Sequence, residues 1–373
     1  MKTPFIFLLP FVLICFLGFN ELQAQDETSW ANFSQHKILP GYGLRKLSHP
    51  EIFQGNQKRK KYFEGWYFKM VSKDGTSILS VIPGISLSGD GKEQHAFIQI
   101  IDGISAKTEY YPFPITEFSF SKKEFAVKIG RNYFSKDKII LNIQTDSSLV
   151  SGEVRISEQV ALSAPKILNP GIMGWYRFVP FMQCYHGVVS LTHRLDGNLV
   201  KDGKAYNFDQ GKGYIEKDWG SSMPSAWIWI QSNNFLKGNS SFMLSIANVP
   251  WLGKPFTGFL GFFLCDSTLY RFATYTHAKL QLEATDSDTT KITVKDRRNT
   301  FSITVVRNNS GLLLAPVKGS MDRRIAESID AKLYLTVRDR KGNIIFDDST
   351  SIAGFEKVGD QKILEGVKKR SRN

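Results

Sequence analysis

Two carboxylates two residues apart, Glu216 and Asp218, stand in the run Gly213-Tyr214-Ile215-Glu216-Lys217-Asp218-Trp219-Gly220, which continues SSMPSAWIWIQSNNF to Phe235. On a strand, successive side chains point to opposite faces. Tyr214, Glu216 and Asp218 then share one face, and Ile215, Lys217 and Trp219 the other. Carboxylates held close together raise the pKa of one of them, and a carboxyl protonated at neutral pH can donate its proton. Beyond the turn over 220–224, Trp227 and Trp229 share a face of the next strand, with Gln231 further along it. Indole faces stabilise a cation lying over them. They also pack barrels, and the segment alone does not choose between the two uses.

A second dense run, Lys60-Lys61-Tyr62-Phe63-Glu64-Gly65-Trp66-Tyr67-Phe68-Lys69, has the same texture. Read as a strand, it puts Tyr62, Glu64, Trp66 and Phe68 on one face and Phe63, Gly65, Tyr67 and Lys69 on the other. Glu64 among aromatics is pushed toward its neutral form, as a general acid needs, or else pairs with a cation across the sheet as a purely structural bridge. His186, in Cys184-Tyr185-His186-Gly187, and His193 could supply an acid or base, but one Cys and two His lack zinc-finger spacing. His95 precedes an apolar strand and reads as a turn residue. A Gly-rich phosphate loop, a nucleophile elbow and a metal cluster are all missing from the sequence, which removes most kinase, hydrolase and dehydrogenase classes.

The elements that must position these residues are strands. From Tyr62 onward short runs with period two, such as HAFIQIID, KIILNIQT, SFMLSIANVP and TFSITVVRN, are bounded by Gly, Asn and Lys-Asp-Gly turns. The fold class expected is all-β, mainly antiparallel barrels or curled sheets with few helices. A Pro- and Gly-rich segment, SAPKILNPGIMGWYRFVP, reads as a crossing linker. A weak echo links the two sides: Glu64-Gly65-Trp66 then SILSVIPG, and Asp218-Trp219 then SFMLSIANVP. Two similar β halves are therefore expected, over 25–161 and 190–356, with a linker over 162–189 and a basic tail over 357–373.

The first 24 residues carry a Lys, an apolar run from Phe5 to Phe19 and small or polar residues up to Ala24, the pattern of a secretory signal peptide. Export to the periplasm or the exterior is expected; an uncleaved anchor is the alternative, although the run is short beside the roughly 20 residues of a membrane span. Cleavage would remove Cys15 and leave Cys184 and Cys265, enough for one bridge but no disulfide framework. The net charge of +13 is scattered, with clusters only at Lys58 to Lys61 and Lys368 to Arg372. Solvated loops explain these better than nucleic acid does, and peripheral contact with an anionic membrane stays open.

The two long motifs, together with Pro224, Trp227, Trp229, Gln231, PGIMGWYRFVPFMQCYHGVVS, ESIDAKLYL and SIAGFE, resemble the tocopherol cyclase family over most of residues 40 to 356. The resemblance implies a pair of lipocalin-like β-barrel halves related in architecture to carotenoid hydratases. It implies chroman-ring closure, in which a quinol hydroxyl adds across the nearest double bond of a prenyl tail. That chemistry needs an acid for the alkene, a wall that tolerates a tertiary cation and a hydrogen-bond partner for the phenol, and it requires no metal or redox cofactor. On this basis Glu216 and Asp218 are the acid candidates, Glu64 a second acid or orienting carboxylate, and His186 the phenol partner. Trp66, Trp219, Trp227 and Trp229, with Tyr62, Tyr214 and Gln231, would bind the substrate, a hydrophobic prenyl quinol or other isoprenoid. Plant members usually carry Asn where this chain has Asp218. Two other readings share the cavity: a non-catalytic lipid or isoprenoid carrier, and a hydratase in which water traps the same cation. Whether Glu216 and Asp218 point into a cavity, or pair with Lys217 or Arg177, separates enzyme from carrier.

Overall fold

The structure, a computed structural model, describes residues 29–35, 39–162, 171–180, 182–250, 255–283 and 288–364. The expected signal peptide, the basic cluster from Lys368 and the SAPKILNP stretch lie outside the described residues.

Period-two alternation becomes two large sheets whose strand pairings are antiparallel. Thirteen strands, from Trp30–Asn32 to Gly211–Gly220, make the first sheet, and ten, from Trp227–Ser232 to Ile344–Val358, make the second. Each curls around its own apolar core, giving two lipocalin-like barrel halves. Phe53, Trp66, Phe68 and Phe134 are among the residues filling the first core, and Phe242, Phe263 and Phe301 among those filling the second. Burying each such ring contributes about 1.5–3 kcal/mol, and these side chains pack the two barrel interiors.

A third apolar cluster, with Tyr67, Tyr214, Trp227 and Trp229 among its members, lies where the two halves meet. Strands at this meeting place are covered on both sides. Nine of the ten residues of Tyr62–Val71 and eight of the ten of Gly211–Gly220 are buried, whereas Lys138–Gln144, with one wet face, alternates buried and exposed. Dense aromatic content in the two motifs is the sequence signature of that double burial.

The chain changes sheet later than the linker expected at 162–189. The long strand Cys184–Lys201 and the strand Gly211–Gly220 both belong to the first sheet, and the switch falls between Gly220 and Trp227. Cross-strand pairing decides this: Cys184–Lys201 pairs with Leu149–Val160 on one side and with Gly211–Gly220 on the other, a partnership that composition does not reveal.

Candidate active site

Pairing between the two motif strands sorts the expected site residues. Tyr62–Val71 lies beside Gly211–Gly220 with Tyr67 opposite Glu216, Gly65 opposite Asp218 and Glu64 opposite Trp219. Alternation then places Tyr67, Gly65, Glu216 and Asp218 on the face toward the second sheet. Glu64, Trp66, Lys217 and Trp219 face the first barrel's core.

Glu64 is thereby separated from the other two carboxylates. Its Oε1 lies 2.6 Å from Lys217 Nζ, both side chains fully buried. Its oxygens also accept from the Gln54 and Gly55 backbone N–H groups and from the Tyr62 hydroxyl at 2.5 Å. Lys217 Nζ donates to the Pro50 and Ile52 carbonyls and lies 4.7 Å and 4.9 Å from the Trp66 and Trp219 ring centres. Burial pulls this lysine down to about 8, opposed by Glu64. The structural bridge is thus the arrangement found, and it ties the 50–55 segment to the barrel. Glu64, Tyr62, Trp66 and Trp219 belong to this packed core, a correction to their expected roles in acid supply and substrate binding. Gln231 is buried elsewhere in the interface, accepting from Lys69 Nζ at 3.4 Å.

On the opposite face a cavity of about 210 Å³ opens between the halves. Glu216, Asp218, His186, Trp227 and Trp229 line it, with apolar walls that include Met173, Tyr176, Met182 and Phe259. His186 sits directly across the strand pair from Asp218, and its Nδ1 is 2.9 Å from Asp218 Oδ1. Its Nε2 lies 3.5 Å from Glu216 Oε2, near enough for charge attraction though without hydrogen-bond geometry. Burial alone would push the imidazole down, but Asp218 and then Glu216 outweigh it and hold it up at about 9. The two carboxylates thus favour the imidazolium form of His186.

Glu216 Oε2 accepts from the Tyr214 hydroxyl at 2.7 Å and from Trp229 Nε1 at 3.2 Å. Tyr214 itself is fully buried behind the cavity wall, holding Glu216 in place. Burial raises Glu216 to about 7, with His186 opposing and Asp218 adding to the rise. Asp218 is the more accessible of the two, its side chain 29% exposed against 7%.

Two further carboxylates line the cavity and were not singled out from the sequence. Glu327 and Glu356 are paired across neighbouring strands, and Trp229 is the next residue in the same row. Glu327 Oε1 accepts from the Tyr67 hydroxyl at 2.6 Å, which accepts in turn from Ser80. Glu356 Oε2 accepts from Trp227 Nε1. Burial drives Glu327 up to about 7 against the opposing effects of Tyr67 and Lys69; burial and then Glu327 push Glu356 well above the ordinary carboxylate range. A signal for both lay in the sequence: Glu327 opens ESIDAKLYL and Glu356 closes SIAGFE.

His186, Glu216 and Asp218 offer ligand atoms within 4.8 Å of one another, a set that could hold a cation. An imidazolium between two carboxylates balances the same charge by itself. Chemically, the site combines carboxyls that stay protonated near neutrality with indole faces and an apolar enclosure, which suits proton transfer to an apolar molecule.

The family model described as tocopherol cyclase-like matches residues 140–359, more than half of the chain. The chain belongs to the tocopherol cyclase-like family. Within the curated proteins, a 74-residue stretch is 30% identical to the chloroplastic tocopherol cyclase of Zea mays and 28% identical to the probable chloroplastic tocopherol cyclase of Oryza sativa subsp. japonica. Each match covers 20% of this chain and 16% of the plant protein, so the chain spans about a sixth of the length of these relatives. The crystal structure of CghA superposes over 87% of this chain and 94% of its own with a TM-score of 0.52 at 9% identity, a likeness of fold alone. For this tocopherol cyclase-like protein the matched span takes in His186, Glu216, Asp218, Glu327 and Glu356, while Glu64 and Trp66 lie before it.

Proposed function

We propose that this protein is an acid-catalysed cyclase of a prenylated quinol or a closely related isoprenoid. The observation that carries the reading is Glu216: a buried carboxyl, fixed by Tyr214 and Trp229, facing an apolar cavity with its protonation balanced near pH 7. Glu216 donates its proton to the less substituted carbon of the nearest double bond. The tertiary cation forms beside Trp227 and Trp229, whose faces lower its energy. The phenol oxygen then attacks that carbon, and its proton leaves to Asp218, whose hydrogen bond to His186 disperses the charge. One C–O bond forms, the π bond is lost, one proton enters and one leaves, so substrate and product have equal mass. Proton transfer by a positioned group contributes roughly 10²–10⁴-fold to such a rate.

A carrier would have the apolar walls without need of four carboxylates around one cavity, which favours catalysis over carriage. The N-terminal segment supports the proposal that the protein works outside the cytosol, where a membrane would supply its apolar substrate. Among the described residues no helix is long and apolar enough to cross a membrane.

Incubation of the protein with a prenyl benzoquinol, read by mass spectrometry, tests the reading. Loss of the free quinol at unchanged mass supports cyclisation, and Glu216→Gln should lower that rate by about 100-fold or more. A gain of one water points to hydration, and bound but unaltered ligand to a carrier.

A further inference from the structure

The cavity is bordered by an apolar surface that neither core explains. The short helix Tyr42–Ser48 buries Tyr42 and presents Leu44, 76% exposed, and Leu47, 49% exposed, three residues apart and so on one face. Beside it runs the 3₁₀ turn Gly174–Phe178, in which Trp175 and Phe178 are 50% and 44% exposed. Arg177, between those two, ties the pieces together: its guanidinium donates to the Lys46 and Leu47 carbonyls and lies 5.0 Å from the Trp219 ring centre. Four large apolar side chains thus stand out on two adjoining elements, in a chain whose other large apolar groups are mostly covered.

The patch is joined to the site. The Trp175 ring stacks on Tyr176 at 4.2 Å between centres, Tyr176 lines the cavity, and it stacks in turn on Phe256, another lining residue. Met173, one turn earlier, also lines the cavity. The turn therefore has an inner side that forms cavity wall and an outer side that faces solvent.

Around the patch the charge is positive. Lys46, Lys58 and Arg177 are close enough that the other two push the Lys46 ammonium down, after the larger effect of its own burial. Lys58 opens the run Lys58-Arg59-Lys60-Lys61, which is exposed throughout. Of the carboxylates on this side, Glu51 is paired with His49 at 2.8 Å and Glu64 is enclosed in the barrel with Lys217.

We propose that this face docks on an anionic lipid membrane, with Leu44, Leu47, Trp175 and Phe178 entering the interface and the basic run from Lys58 held to the headgroups, so that the cavity receives its ligand from the lipid layer. Exposed tryptophan and leucine beside lysines is the composition that suits a lipid interface, where rings and methyls leave water while cations stay at headgroup depth. The purpose assigned to the docking rests on the apolar-ligand reading of the cavity. The docking itself is measured without turnover, so the two can fail separately.

The test is flotation of the full chain with vesicles of phosphatidylcholine alone and of phosphatidylcholine with phosphatidylglycerol. Brominated phosphatidylcholine is then added as a quencher of tryptophan fluorescence. Wild type should float with the anionic vesicles, less so as salt rises, and lose about fivefold in binding in each of Lys58→Gln and Lys60→Gln, which remove one positive charge apiece. Leu44→Gln with Leu47→Gln, at exposed positions that leave the cores intact, should weaken binding about tenfold or more. Brominated lipid should quench a component of the wild-type emission that Trp175→Phe lacks; this readout reports on the patch even if the N-terminal apolar run also holds the chain to vesicles. Equal quenching in wild type and Trp175→Phe, or equal flotation of the Leu44/Leu47 variant, would overturn the proposal. So would a concentration-dependent dimer abolished by the same variants, which would assign the face to a second copy of the chain.

Discussion

Glu327 and Glu356 face each other on adjacent strands in the wall of the cavity, and Glu327 Oε2 meets no N–H or hydroxyl donor among the described residues. Two neighbouring carboxylates within a buried site cannot both be ionised at modest cost, so burial and their mutual repulsion favour a proton on the pair near neutral pH. Replacing one member with its amide removes the need for that proton. Folded-state pKa values raised above the unfolded value stabilise the fold at low pH, and that stability is lost as pH rises through the folded value. Glu327 rises from 4.5 to about 7, which sets the window. The Tm difference between Glu327→Gln and wild type should therefore grow in the variant's favour from pH 5 to pH 7, by an amount on the order of a few °C. A difference that stays flat across that range, followed by calorimetry, would count against the shared proton.

The proposed donor predicts a pH dependence. Glu216 is a working acid only while protonated, so cyclisation should decline as pH rises through about 7. His186 opposes the rise of the Glu216 pKa. In His186→Gln the declining limb should accordingly move to higher pH, with a lower maximal rate. A pH–rate profile with an unmoved limb would take His186 out of electrostatic contact with the donor.

The buried pair in the first barrel predicts the opposite partition of effects. Lys217→Met strands a fully buried Glu64 carboxylate and should cost about 3–5 kcal/mol, visible as a large fall in the denaturant midpoint. Adding Glu64→Gln should return much of that loss. Because both side chains face away from the cavity, turnover per folded molecule should change little in the double variant, and a hundredfold loss there would return Glu64 to the chemistry.

Gly354 predicts a packing effect on the cavity wall at Trp229. A Cβ built at this position would fall 2.5 Å from the Trp229 ring, so the missing side chain is what lets the indole lie against the neighbouring strand. Gly354→Ala should displace Trp229, loosen its hydrogen bond to Glu216 and lower kcat/KM about tenfold while leaving the fold cooperative. Trp229→Phe should match it in kinetics if the ring position is the cause.

Much of this arrangement was legible along the chain, and the missing part has a physical reason. Alternation put Glu216 and Asp218 on one face and Lys217 and Trp219 on the other, because side-chain direction along a strand is a local property. Which face Glu64 shares with them depends on register against a strand some 150 residues away, and register is set by pairing rather than by either segment alone. The partnership of Glu327 with Glu356 was further hidden by an irregularity after Ser328, where the register with the final strand shifts. Period two gave the all-β halves correctly, whereas the point where the chain changes sheet depended on the same long-range pairing that misplaced Glu64.

The strand Gly211–Gly220 is enclosed on both sides, with the Glu64–Lys217 ion pair on one and the cavity carboxylates on the other. Its residues therefore answer to two separate constraints at alternate positions. Substitution at Glu216 or Asp218 changes the cavity lining while Ile215, Lys217 and Trp219 go on packing the first core. An exchange of Asp for Asn at position 218 would alter the cavity lining while leaving the buried Glu64–Lys217 pair in place.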